Sequence, residues 1–450
     1  MQKSPPLSLT EGNIFRALLK FALPVLLALL LQALYGGVDL LIVGRFADTA
    51  DVSGVATGSI VLQTITNLIA GLAMGVTILV GRLIGEKKRD EAGKAIGAGI
   101  SLFAIISLIL TAAMVFGANF IAQIMQSPQE AFAQTAAYIR ICGIGSVFIV
   151  AYNLLGSIFR GIGDAKTPLL AVAIACLVNI VGDLLLVGAF HMGAAGAAIA
   201  TVFAQGVSVW LSISIVKKRE LPFGFSRDYI RLRGGFIREE LRLGTPLALQ
   251  DFLLGLSFVV IQMIVNAINV VSSAGVGVAE KLCMFIMLVP VAYMQAMSAF
   301  VAQNIGAGKP ERAKKALGYG ILSSLIVGLL MAYAALFHGD ALSALFTDDA
   351  LVVAASHDYL KAYAIDCLMA PFIFCFIGFY NGYGKTFFVM VQGIIGSVLI
   401  RIPLAYIISR ISGATLFHIG LSIPISTFVQ VLLCVGLFLL IQKRNDAAHL

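Results

Sequence analysis

The stretch PVLLALLLQALYGGVDLLIV, residues 24–43, decides the fold of this chain. As a helix it is long enough to cross the hydrocarbon core of a membrane, which is about 30 Å thick, and its one charged residue is Asp39. A second apolar run, residues 171–187, carries Asp183 in the same way. Because a carboxylate is unstable in hydrocarbon unless it is protonated, paired or hydrated, each acid marks a candidate functional site.

The composition predicts an all-α polytopic membrane protein. Of the 450 residues, 60% are hydrophobic and 12% are charged, and the mean hydropathy is +0.98, whereas soluble domains hold about 25% charged residues. The apolar runs are long and do not alternate with polar residues, which favours helices over a β-barrel. Charge clusters, glycines and prolines separate twelve predicted transmembrane helices, at residues 16–44, 54–82, 94–117, 130–159, 166–188, 194–216, 238–266, 275–304, 313–337, 352–381, 387–409 and 415–441.

Basic residues fall on alternate loops between the predicted helices. One set comprises Lys3, Lys87 to Arg89, Arg160 with Lys166, the run from Lys217 to Arg242, Lys309 to Lys315, Lys385, and Lys443 with Arg444; the other holds only Arg45 and Arg410. The positive-inside rule therefore predicts cytoplasmic termini for a multi-pass protein of the inner (plasma) membrane. The dispersed charge argues against nucleic acid as a partner. The run from Lys217 to Arg242 is interpreted as a solvated segment beside anionic lipid.

The second half of the chain repeats the first at one constant offset, the one that separates Ile84 from Ile305. Residues 84–97 align with residues 305–318 with seven identities, and the same offset pairs Gly161-Ile-Gly163 with Gly382-Tyr-Gly384. Since each repeat holds six predicted helices, an even number, both repeats enter the membrane from the same side. The two halves are therefore predicted to be related by a pseudo-twofold axis along the membrane normal.

This repeat predicts three parts of the chain. Residues 1–216 form an N-terminal lobe, residues 217–237 a cytoplasmic linker and residues 238–450 a C-terminal lobe. Two six-helix lobes around a central cavity are typical of a transporter, because a channel more often repeats its unit around a ring.

Five polar side chains fall at a similar depth in the outer half of the N-terminal lobe: Asp39 and Tyr35 on the first helix, Asn179 and Asp183 on the fifth, and Thr201 on the sixth. Each of the pairs Tyr35/Asp39 and Asn179/Asp183 is one helical turn apart. Two carboxylates a few ångströms apart cannot both stay ionised without a cation, so the group predicts a site for H⁺ or Na⁺. Oxygen ligands of these types suit a small cation. The alternative is a set of separate structural hydrogen bonds.

The repeat makes this chemistry specific to the first lobe. At the offset of the repeat, Asp39 corresponds to Val260 and Asp183 to Leu404. In the first helix, Pro24 removes a backbone hydrogen bond and favours a kink. We predict that this helix bends or straightens with the charge state of Asp39, the alternative being a static kink. Gln32, Asn153 and Gln205 are predicted to line a polar cavity.

These residues resemble the multidrug and toxic compound extrusion (MATE) family, and most of all its DinF-like branch. The resemblance is carried by Leu9-Thr-Glu-Gly12, Pro24, Asp39, Asn179-Ile-Val-Gly-Asp183 and Gln303-Asn-Ile-Gly-Ala-Gly-Lys309, in this order along nearly the whole chain. It implies a secondary antiporter that exports organic, often cationic, amphipathic drugs or toxins in exchange for H⁺ or Na⁺ by alternating access. It also implies cation coupling at Asp39, Asn179, Asp183 and Thr201, with Tyr35 beside them, Pro24 at the bend, and a lesser role for Asn153.

The sequence leaves one other transport function open and disfavours other classes of membrane protein. A flippase for lipid-linked or amphipathic substrates shares the twelve-helix plan and stays open. A membrane enzyme or receptor is disfavoured, because there is no nucleophile with a base, no metal-ligand cluster and no sizeable extramembrane domain. No phosphate-binding Gly-rich loop is present, so neither ATP nor another cofactor is expected. The six cysteines lie in apolar runs and are interpreted as packing residues. The protein is predicted to be a monomer whose partners are small molecules and membrane lipids.

Overall fold

The computed structural model describes residues 9–218 and 221–448, with side chains as far as residue 443. Lys3 and the side chain of Arg444, both used above to orient the chain, lie outside the described residues. The helices are α1 Ile14–Phe46, α2 Thr49–Gly85, α3 Arg89–Ile124, α4 Phe132–Ile144, α5 Ser146–Gly161, α6 Lys166–Asp183, α7 Gly193–Lys218, α8 Gly234–Asn266, α9 Val270–Ile286, α10 Leu288–Gly306, α11 Pro310–Phe337, α12 Gly339–Ser343, α13 Ala350–Gly382, α14 Thr386–Ile394, α15 Ile402–Ser409, α16 Leu416–Gly420 and α17 Ser422–Ala448.

The predicted all-α polytopic fold is confirmed. In the described part of the chain, eleven helical segments are long and apolar enough to cross a membrane, and α4 with α5 forms a further candidate span that is bent by 55°. No strand occurs in residues 9–218 or 221–448. The single helix predicted over residues 130–159 is therefore broken, at Gly145, two residues after another weak helix former, Gly143.

Contacts divide the chain into two compact units. Of the described residues, the first unit contains 9–12, Leu19–Ala248 and Ala302–Gly308, and the second contains Asn13–Leu18, Leu249–Val301 and the residues from Lys309 to Ala448. The predicted lobes and linker, 1–216, 217–237 and 238–450, stay a prediction. Each unit has its own buried apolar cluster, one around Val43, Tyr138 and Ala197 and the other around Ile261, Tyr359 and Ile419.

The repeat is also visible in the packing inside each unit. A Cβ atom on Gly54 of α2 would lie 3.0 Å from the backbone nitrogen of Thr135 in α4. A Cβ atom on Gly275 of α9 would lie 3.0 Å from the backbone nitrogen of Ser356 in α13. The offset of the repeat relates Gly54 to Gly275 and Thr135 to Ser356, so each unit brings two equivalent helices together across a glycine.

We expect Gly275→Val to lower the free energy of unfolding by about 1–3 kcal/mol, because the added side chain forces α9 away from α13. Gly277→Val is the matched control: it makes the same change two residues away on α9, where an added Cβ meets no atom within 4 Å. The melting temperatures of the purified proteins in detergent measure the effect. Equal melting temperatures of the two variants would contradict the close packing of α9 against α13.

The run from Lys217 to Arg242 is solvated only in part: most of its described side chains are exposed, but some of it packs against α3. A 3-10 turn at Arg227–Tyr229 packs on α3, where the carbonyl of Tyr229 contacts Gly97. The Tyr229 hydroxyl donates to Asp90, which raises the pKa of Tyr229, and Asp90 also pairs with Lys94. At the start of α8, Glu240 is only 2% exposed. The segment lies against α3 because small residues there leave room for its backbone.

Candidate cation site

The two intramembrane acids lie together in the first unit. Asp39 of α1 is 5% exposed, Asp183 at the end of α6 is fully buried, and their carboxyl groups lie close enough to interact with each other. No other described group donates to either oxygen of Asp183 or to Oδ1 of Asp39. Since ionised carboxylates have no donor, a hydrogen bond between the two groups requires a proton that they share. Chemically, the pair can therefore gain and lose a proton as a unit.

Asn179 and Thr201 lie beside the acids as a second polar pair. Both are buried, and Asn179 Nδ2 donates to Thr201 Oγ1 over 3.5 Å. The Oδ1 atom of Asn179 is buried and accepts no hydrogen bond from a described group. The amide oxygen is thus left available to a protonated carboxyl group or to a small cation.

Local backbone structure explains how α6 presents Asp183 to its neighbours. A Cβ atom on Gly182 would lie 3.0 Å from the Cβ of Ala200, so this glycine lets α6 approach α7 next to Thr201. Directly after Asp183 the chain enters a π-helical segment, Leu184–Ala189. Such segments are rare and often occur at functional sites, because they change the direction of the side chains around them.

Beyond these polar neighbours, the acids lie next to a cluster of apolar side chains. The buried cluster of the first unit includes Ile42, Val43 and Val187, and it is extended by Val38, adjacent to Asp39, and by Ile180, three residues before Asp183. Low polarity around the acids strengthens the interaction between them and raises the free-energy difference between their protonation states.

Tyr138 is a neighbour of the site that was not predicted from the sequence. Tyr138 of α4 is 1% exposed, accepts a hydrogen bond from Ser59 Oγ over 3.2 Å and lies close enough to Asp39 to interact with it electrostatically. Tyr35, which was predicted to lie near Asp39, does so. The only signal for Tyr138 in the sequence was its repetition at Tyr359, which marked the repeat rather than the site.

The other predicted lining residues form their hydrogen bonds with groups other than the two acids, where the structure describes such bonds. Gln32 Nε2 donates to the Tyr152 hydroxyl over 2.6 Å, and Asn153 Nδ2 donates over 2.9 Å to the carbonyl of Ile149 in its own helix. The Oε1 atom of Gln205 is buried without a described donor. Pro24 lies inside the continuous helix α1, and its role as a hinge stays a prediction.

Arg160, one of the cations predicted to lie on a loop, is half-buried. It lies in the last turn of α5, where Nη2 donates to Ser157 Oγ over 2.8 Å. Its Nε atom is buried without a hydrogen bond. The guanidinium interacts electrostatically with Tyr152, and it forms no ion pair with a described residue.

The second unit places a different group beside its own π-helical segment, Ile395–Arg401. Arg401 is 4% exposed and donates to the hydroxyl groups of Ser426 and Ser257 over 3.2 and 3.5 Å. Its guanidinium lies 5.0 Å from the ring centre of Phe258. The two units therefore differ in chemistry: an acid precedes the π-helical segment of the first, and a base ends that of the second.

The MatE family model matches this chain twice, at residues 24–185 and 246–407. The spacing between the two matches is one position longer than the offset of the repeat. At this spacing Asp39 corresponds to Ile261 and Asp183 to Ala405, so either alignment pairs the acids with apolar residues.

Three similar proteins cover almost the whole chain. The probable multidrug resistance protein YpnP of Bacillus subtilis (strain 168) is 28% identical over 421 residues, 93% of each protein. The FAD transporter of Shewanella oneidensis (strain MR-1) is 26% identical over 439 residues, 95% of this chain and 94% of that protein. A crystal structure of MATE in the straight conformation has a TM-score of 0.91 at 20% identity and covers 99% of both chains. The structural likeness shows the shared fold.

Proposed function

Since the chain belongs to the MatE family, we propose that it is a secondary active efflux antiporter that exports organic, often cationic, amphipathic compounds in exchange for protons. The observation that carries this proposal is the buried carboxyl pair of Asp39 and Asp183. The name of the relative YpnP, a probable multidrug resistance protein, supports drugs and toxins as the cargo. No cofactor takes part, because the ion gradient supplies the free energy.

The protein is proposed to lie in the inner (plasma) membrane as a monomer, with both termini in the cytoplasm. The concentration of basic residues on one set of loops supports this orientation. It gives the Asp39/Asp183 pair access from the outer side, since Asp39 lies six residues before Arg45, about 9 Å below the outer surface.

Coupling follows from a difference in proton affinity between two states. A proton can drive export only if it binds more tightly when the transporter faces outward than when it faces inward. Closing the apolar surroundings around the pair changes this affinity, because an ionised pair is disfavoured where water is excluded. Pro24 is proposed to let α1 change its course as Asp39 gains or loses charge.

H⁺ is the proposed coupling ion because two neighbouring carboxyl groups can share one proton. A hydrogen bond between two carboxyl groups uses one shared proton, whereas a sodium ion would separate the oxygens and take further ligands. Asn179 and Thr201 are then proposed to orient the pair rather than to bind a metal ion. Asn179 lies one helical turn before Asp183 on α6, on the same face of the helix, which supports this role.

Wild-type protein in everted membrane vesicles tests the proposal. We expect an acidic interior to drive uptake of a lipophilic cationic dye such as ethidium, while an imposed Na⁺ gradient without ΔpH does not. Vesicles from cells that lack the protein are the control. Uptake that depends only on the Na⁺ gradient would contradict the assignment of protons as the coupling ion. Uptake that depends on neither gradient would contradict the proposal of an antiporter.

A second candidate cargo is an anionic nucleotide-like compound. It is supported by the name of one relative, FAD transporter, and by the guanidinium of Arg160, which has no ion-pair partner among the described residues. Competition of FAD with the dye in the same vesicles tests this cargo. Inhibition that disappears in Arg160→Gln would favour it, and lack of inhibition would exclude it.

A further inference from the structure

Glu240 of α8 is a buried acid that the proposed mechanism does not use. It is 2% exposed, and neither oxygen of its carboxyl group receives a hydrogen bond from a described residue. It belongs to the first unit, which includes α8 as far as Ala248. It lies near the basic loops, far along the chain from Asp39 and Asp183, so it belongs to neither the acid pair nor its polar partners.

The carboxyl group of Glu240 faces the backbone of α3 at Gly99. A Cβ atom on Gly99 would lie 3.2 Å from Oε1 and 3.5 Å from Oε2 of Glu240. On the neighbouring helix α2, Gly75 contacts the Glu240 carbonyl and Leu72 contacts Gly244, one turn further along α8. Glycines on both sides thus let α8 pack closely on α2 and α3, and this packing encloses the acid.

No charged group on the adjacent helices compensates Glu240 within the described residues. On α3, Asp90 and Lys94 pair with each other, and on α2 the Nε atom of Arg82 is buried without any hydrogen bond. On α8 itself, Glu239 pairs with Arg242 over 3.6 Å. Burial, rather than a neighbouring charge, therefore governs the protonation of Glu240.

We propose that Glu240 is a second proton-binding site, at the cytoplasmic end of the first unit. An ionised carboxylate without a partner is strongly disfavoured in a closed apolar site, whereas the neutral acid is not. The acid therefore keeps its proton while α8 packs on α2 and α3, and it transfers the proton to water when this packing opens. Only the cytoplasmic location rests on the proposed function; the proton site itself does not.

The full-length protein in detergent tests the site through its thermal stability at pH 5.5 and pH 8.5. Ionisation of Glu240 favours states in which it is exposed, so the wild-type protein should lose stability as the pH rises. Glu240→Gln cannot ionise, and its melting temperature should match the wild type at pH 5.5 and exceed it at pH 8.5 by roughly 3 °C or more. Glu239→Gln, the same change on the adjacent residue, should follow the wild type at both values.

Hydrogen exchange supplies a second readout if the glutamine variant folds poorly. After correction for the intrinsic rate, residues 234–248 of the wild type should exchange faster at pH 8.5 than at pH 5.5, and a Glu240→Leu variant should lose this difference. A wild type without pH dependence in this segment, or a Glu240→Gln variant that follows it at both pH values, would overturn the site. Neither measurement uses a gradient or a substrate, so their failure leaves the antiporter proposal intact.

Discussion

Asp39→Asn is expected to reduce proton-driven dye uptake at least tenfold, to the level of vesicles without the protein. Asparagine has nearly the same shape as aspartate, but its amide cannot take up a proton. It would still meet Asp183, so the packing of α1 against α6 should survive. Substrate binding should therefore persist while coupling is lost. Uptake in everted vesicles under ΔpH measures the first property, and dye fluorescence with purified protein measures the second.

Asp51→Asn is the matched control for this loss. Asp51 lies in the same unit and accepts a hydrogen bond from Ala194 N over 2.8 Å, which an asparagine oxygen can also accept. The variant removes one negative charge from the outer half of the unit without touching the acid pair. It should transport like the wild type. Full ΔpH-driven uptake by Asp39→Asn would show that the pair does not couple proton movement to export.

The helices could be predicted from the sequence because the membrane fixes their length. The predicted span 166–188 corresponds to Lys166–Ala189, and 194–216 corresponds to Gly193–Lys218. A run of apolar residues needs about 20 positions to cross the hydrocarbon core, so composition alone locates it. The break at Gly145 was missed, since a bend depends on how α4 and α5 pack rather than on hydropathy.

The candidate site was predictable in its depth but not in its contacts. Counting residues from the loops put Asp39 and Asp183 in one layer, yet the direction of each side chain depends on helix packing. Here that packing includes the approach of Gly182 to Ala200 and the π-helical segment after Asp183. Neither feature has a local sequence signature.

The burial of Glu240 was likewise not predictable from its local sequence. In the sequence it is one charge in a run of charges, a pattern typical of a solvated segment. Its burial depends on two glycines that are distant in the sequence, Gly75 and Gly99, which let α8 approach their helices. Long-range packing of this kind could not be inferred from the run itself.

Asp183→Asn is expected to cause the same loss as Asp39→Asn, and the double variant should be no worse than either. In the proposed mechanism the two carboxyl groups share one proton, so removal of either acid should remove the function of both. If each single change lowers proton-driven uptake about tenfold, independent sites would give a loss of about a hundredfold, whereas a shared site gives about tenfold. Uptake rates of the four proteins under one ΔpH measure this difference.

Asn179→Ala separates a proton site from a metal site within the same experiment. The Asn179 oxygen is a ligand that Na⁺ would need, but a proton needs only the two carboxyl groups. We therefore expect this variant to keep most of its ΔpH-driven uptake. A loss as large as that of Asp183→Asn, restored by high Na⁺, would instead assign a metal ion to the pair. A hundredfold loss in the double acid variant would show that Asp39 and Asp183 act separately despite their contact.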